Sequence, residues 1–171
     1  EDYGRDESPV GPYPADVAAR CRTTEEVAAV LRLCAEHDAV LFFGHFTHPE
    51  QDALVEEIDR VRFKKAVVDH PFSLYVDLPV ERMKQFARAG ITMNFTFDEL
   101  SPLMGVDPYA MYQAIRAIGT DWVTLSSDCG EPLFPNSVEG MRMIIAYMKA
   151  YGLTEEEIVQ VTVTNPRRLV G

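Results

Sequence analysis

Four stretches of this chain run from apolar residues into side chains able to do chemistry. Leu41-Phe42-Phe43 leads into Gly44-His45, with His48 three residues on, and Ala66-Val67-Val68 leads into Asp69-His70-Pro71. Ile91-Thr92-Met93 leads into Asn94-Phe95-Thr96, and Val123-Thr124-Leu125 into Ser126-Ser127-Asp128-Cys129-Gly130. Of the 4 histidines in the chain, only His37 is away from such an end; it falls near the end of a helix, where a cation meets the dipole favourably. Imidazole nitrogens and carboxylate oxygens are donors for divalent metals. His45, His70 and Asp128 are therefore the candidate ligands, and Asp128 and His70 the candidate catalytic pair. A metal held this way lowers the pKa of a bound water to about 7, and Asp128 can carry its proton if only weakly bound to the ion.

The neighbours of these residues have plainer alternatives. His48 fits a substrate contact, or simply the residue leading into a helix that starts at Pro49. Asp69 is placed to orient His70, as carboxylates often orient a ligating imidazole. Cys129 beside Asp128 reads as a reactive thiol or as a buried inert one, and without an adjacent base the inert reading is favoured. Lys64 and Lys65 precede their strand and belong at the opposite end of the sheet. Arg167 and Arg168 read as solvated charges.

The elements that must position these residues follow from periodicity. Continuous apolar runs at 39–44, 66–69, 91–95 and 122–126 have strand length. Between them lie helical repeats. Thr23 and Glu26 are spaced as a capping box before Val27, Val30, Leu31 and Cys34. Pro49 precedes Leu54, Val55, Ile58 and Val61. Pro79 precedes Met83, Phe86 and Ala87, with Gly90 as the stop. Asp107-Pro108 opens a helix ended by Gly119. A long helix closes at Gly152, Thr154 and Glu157 repeat the capping-box spacing, and Asn165 is expected to cap a last short turn. Residues 1–22 read as an irregular arm or linker, and 23–171 as one α/β domain. Strands that are apolar on both faces and alternate with helices predict a parallel sheet covered by helices. Chemistry in such folds gathers beyond the carboxyl ends of the strands. Four βα units make either half of a (β/α)8 barrel or a small open sheet.

Composition narrows the function classes. With 16 Lys and Arg against 27 Asp and Glu, the net charge is −11, opposite to what nucleic-acid binding needs. No apolar run is long enough to span a bilayer. The 3 cysteines, Cys21, Cys34 and Cys129, are sparse and irregularly spaced, as reduced thiols of a cytoplasmic protein are. No Gly-rich phosphate loop occurs at a strand-to-helix turn.

In FFGHFTHPE, AVVDHP, LSSDCGEP and GLTEEEIVQVTVTNPRRLVG, the chain resembles the C-terminal half of the amidohydrolase superfamily, metal-dependent hydrolases built on a TIM barrel. The likeness runs over roughly residues 24–171 and is nearest to an uncharacterised branch. It implies that His45 is like the fifth-strand metal ligand, His70 the sixth-strand ligand, and Asp128 the eighth-strand acid that binds metal and handles protons. The implied cofactor is a divalent metal, zinc first, with manganese, iron or nickel as alternatives. The implied reaction is attack of activated water on an amide, ester or related C–N or C–O bond of a small molecule, with deamination and decarboxylation as superfamily alternatives. The first-strand H-x-H pair has no counterpart here, and neither does the bridging residue of the fourth strand. The resemblance thus implies a second half of a longer or split polypeptide, completed by an N-terminal half-barrel partner or by a second copy of the chain. A catalytically incomplete subunit with an assembly or regulatory role is the competing reading.

Overall fold

A computed structural model describes residues 24–171. The arm expected over 1–22, Cys21 and Thr23 lie outside the described residues; the first helix is capped one residue later than the expected Thr23–Glu26 box, which puts Val27 rather than Glu26 at the third helical position. The first helix, α1 (Glu25–Glu36), is capped by Thr24, whose hydroxyl accepts from the Val27 amide. The chain continues as β1 (Leu41–Phe42), α2 (His48–Val61), β2 (Ala66–Asp69), α3 (Val80–Arg88), β3 (Thr92–Thr96), α4 (Pro108–Ile118), β4 (Val123–Ser126) and α5 (Ser137–Tyr151). It closes with α6 (Glu155–Val159), a π-turn over Gln160–Thr164 and α7 (Asn165–Val170). Side chains cap several starts, as expected at Asp107 and Thr154 and without a sequence expectation at Asn136. Asp107 accepts from the Tyr109 amide ahead of Pro108, Asn136 accepts from the amides of Val138 and Glu139, and Thr154 and Glu157 form a full capping box.

The strands form one parallel sheet in the order β1-β2-β3-β4. That order decides between the two architectures. Right-handed crossovers between successive neighbours put every helix on the same side of the sheet, whereas a doubly wound sheet reverses its order at a switch point. The sheet is a wall of a barrel: four βα units, half of a (β/α)8 fold.

The helix-covered side carries the core, with Phe43, Ala66, Val68, Met93, Phe95, Val123 and Leu125 all buried. The opposite side differs from the expectation of strands apolar on both faces. Asp69 pairs in register with Asn94, Asn94 with Thr124, and Thr96 with Ser126. Their side chains bond along this face. The Asn94 amide donates to Asp69 Oδ1 at 2.5 Å and to Ser126 Oγ at 2.8 Å, and the Thr124 hydroxyl donates to Asn94 Oδ1 at 2.9 Å. Period-two alternation within TMNFT and VTLS separates the two faces, and reading these runs as continuously apolar overlooked it.

Two end-of-chain expectations also change. Asn165 does not cap a new turn, because the backbone is helical through Thr164 and Asn165. Its amide donates to the carbonyls of Thr120 at 2.6 Å and Val123 at 2.7 Å, fastening α7 to the start of β4. Arg168 is not simply solvated: it donates to the Asp121 carbonyl at 2.6 Å and lies 5.4 Å over the Trp122 ring. Lys65 is at the far end from the candidate site, as expected, paired with Asp38 at 2.6 Å.

Candidate functional site

His45, His70 and Asp128 end β1, β2 and β4 in the same unusual way: each has a left-handed backbone, at φ 48°, 34° and 48°. Only Asp38, Arg62 and Asp77 share that conformation among the described non-glycine residues. It is sterically unfavourable for a residue with a Cβ, and such strain gathers at functional sites. The sharp turn lets each strand stop and aim one side chain across the sheet end instead of continuing the pleat.

The two imidazoles meet edge to face, with ring centroids 4.7 Å apart. The His45 ring stacks on Tyr75 at 5.3 Å. His70 is buried, and its Nδ1 shares a hydrogen bond with Ser73 Oγ at 3.0 Å. This contact, together with the Ser73 amide donating to the His70 carbonyl at 2.9 Å, sets the ring orientation. Gly44 gives the ring its space, since a Cβ there would lie 2.6 Å from His70 Cε1 and 2.8 Å from Nε2. Gly44→Ala is therefore expected to destabilise the fold by about 1–3 kcal/mol, as overpacking does, and to displace His70. Thermal melts and the chemical shifts of the His70 ring check both effects, and unchanged shifts would show the ring was never held by this contact.

All three residues line one cavity of about 270 Å³, together with Ser73, Tyr75 and Asp98. Leu103, Met104, Glu131 and Phe134 complete much of its wall. Asp98 escaped the sequence reading. It is buried and lies just past β3, and the Thr96 hydroxyl donates to it. Its signal was an acid two residues beyond the strand end at Thr96, on the one strand that otherwise offered no ionisable group.

Asp128 stands where opposing fields of the site meet. Partial burial raises its pKa, as do the negative charges of Asp98 and Asp69, while His70 and His45 pull it down. Glu99 has a different task. Fully buried, it accepts from the Phe72 amide at 2.6 Å and the Thr96 amide at 2.7 Å. It thereby ties the His70–Ser73 loop to the end of β3. Burial pushes its carboxyl up to about 8, against the two amide bonds that favour the anion.

The remaining candidates sit apart from the imidazole pair. His48 heads α2, and its Nε2 lies 3.0 Å from the Val76 carbonyl and 3.2 Å from that of Asp77, pinning the loop between β2 and α3. Asp69 is turned to the polar sheet face, in a second cavity of about 400 Å³ that it shares with Asn94, Thr124, Ser126 and Asp128. Ser73, not Asp69, orients His70. The Cys129 thiol donates to the Ser127 carbonyl at 3.4 Å, and burial raises its pKa. Gly140 packs tightly on it, since a Cβ there would lie 2.5 Å from Sγ.

The donor types at this sheet end suit zinc and its neighbours, two imidazoles and carboxylates. Their disposition leaves the shell open: among the described residues, no three His, Cys, Asp or Glu side chains are grouped to hold a metal ion. No helix among them is long and apolar enough to cross a membrane.

Comparison with known proteins agrees with this architecture. The structure is similar to N-acetyl-D-glucosamine-6-phosphate deacetylase from Mycobacterium smegmatis, with a TM-score of 0.54 and 17% sequence identity over 84% of this chain. The fold is half of a TIM-like barrel. The matched region spans 41% of the deacetylase, so this chain corresponds to less than half its length. Residues 13–94 match a family model described as a family of unknown function (DUF6282). That match includes His45, Asp69 and His70 and ends before Asp98 and Asp128. No curated protein matches the chain.

Proposed function

We propose that this chain is the half of a small-molecule hydrolase that carries the His45–His70–Asp128 cavity. The observation that supports this most is that these three residues, from three separate strand ends and all with left-handed backbones, line one cavity. The reaction is water addition to an amide, ester or related C–N or C–O bond. Asp128 takes a proton from the attacking water as the new C–O bond forms. It returns that proton to the leaving nitrogen or oxygen as the old bond breaks. His70, held by Ser73 and the bare backbone of Gly44, keeps one orientation, and the His45 ring packs on its edge. His45, His70 and Asp128 are the residues that would hold a divalent cation, zinc foremost, once further donors closed the shell. A bound ion would supply a more acidic water and polarise the carbonyl.

Further donors and the rest of the barrel wall would come from a complementary half-barrel or a second copy, pairing at the β1 and β4 edges. The open donor shell also favours a second reading, a subunit that assembles or regulates without turning over substrate itself. Native mass and elemental analysis of one sample, followed by an ester and amide panel with zinc, manganese, iron or nickel added, test both. Hydrolysis that His45→Ala, His70→Ala or Asp128→Ala removes, with each variant folded, supports the hydrolase. Full activity in all three variants would end that reading. A stable assembly with no metal and no turnover would favour the second.

A further inference from the structure

We infer that the cavity between His45, His70 and Asp128 takes an organic cation, a substrate bearing an ammonium or guanidinium group. This rests on the hydrolase reading of the same cavity and names its substrate class. The starting point is Asp98. It is buried, with 7% of its surface exposed, and its carboxylate receives a hydrogen bond from the neutral Thr96 hydroxyl. No ion pair among the described residues includes it. A buried carboxylate without a cation is costly, and a positively charged ligand offsets that cost. Asp128 and Glu131 line the same space, and among its described lining residues there is no Lys or Arg. An anionic substrate such as a phosphate ester would meet like charge there.

The walls extend the argument from an ion to an organic cation. Tyr75, one face of which stacks on His45, and Phe134 line the cavity with Met104 and Leu103. Aromatic faces attract ammonium and guanidinium groups, and the volume of about 270 Å³ admits a small molecule rather than a bare ion. The cationic group would sit between Asp98 and Glu131, leaving the scissile bond toward Asp128 and the imidazoles.

Three esters of one acyl group test this, their alcohol portions carrying an ammonium, a neutral isostere or a phosphate. Binding to the full chain is measured calorimetrically in EDTA at low and high salt, and hydrolysis is measured separately. The ammonium ester is expected to bind about tenfold or more tighter than the neutral one, less so at high salt, and the phosphate ester weakest. Asp98→Asn and, on the exposed loop, Glu131→Gln should each reduce the preference. Equal binding of the three probes, tighter binding of the phosphate ester, no binding of the ammonium ester, or a preference unchanged in both variants overturns the inference. Hydrolysis without charge preference would leave the hydrolase reading standing and remove the substrate class. Selective ammonium binding with no ester hydrolysed would do the reverse.

Discussion

Asp128→Asn is expected to lower turnover by roughly 10²–10⁴-fold, the range for removing a positioned proton carrier, while the chain stays folded. Asparagine keeps the shape of the side chain and tolerates the left-handed backbone that Asp128 adopts better than most residues do. What it loses is the exchangeable proton. Burial and the carboxylates of Asp98 and Asp69 disfavour the charged form of Asp128, so the neutral substitute should not lower the melting temperature. Single-turnover rates and thermal melts on the same preparation decide the matter. Unchanged turnover would remove Asp128 from the chemistry, and a collapsed fold would recast it as structural.

Glu99 is expected to give the largest stability effect. Glu99→Ala leaves the Phe72 and Thr96 amides without their acceptor, at about 1–3 kcal/mol for each buried unsatisfied group. The His70–Ser73 loop then loses its tie to β3. Native Glu99 also makes stability depend on pH. Its carboxyl is raised from 4.5 to about 8 in the folded state, so between those values the folded chain binds more protons than the unfolded one. Stability is then full at acidic pH, before the carboxyl ionises, and falls as pH rises toward about 8. Asp128 contributes in the same direction. Glu99→Gln should flatten most of that slope while weakening one amide bond, because its NH₂ cannot accept. Urea titrations at a series of pH values read both effects. A variant whose pH slope matched the native chain would show that the buried carboxyl does not titrate in this window.

By itself the sequence determined the alternation of four strands with helices and the strand ends at which the His and Asp side chains stand. Both are local properties: apolar runs of strand length, Thr-x-x-Glu caps and Pro-Gly punctuation need no distant partner. It also nominated His45, His70 and Asp128, because their types and positions after apolar runs are visible along one dimension. Tertiary structure decided the rest. Barrel wall against doubly wound sheet turned on strand order, which no local pattern encodes. The polar face of the sheet emerged only when register set Asp69, Asn94 and Thr124 side by side. Ser73 rather than Asp69 holds His70 because the turn after β2 brings Ser73 Oγ back to the Nδ1 edge of the ring. His48 looked like a site residue by its spacing, yet its ring meets carbonyls at Val76 and Asp77, 28 and 29 residues away. Asp98 was hidden for the same reason, since its proximity to Asp128 exists only once β3 and β4 lie next to each other in the sheet. Residue type and local period are written along the chain, but convergence of side chains from separate strands is a property of pairing and burial.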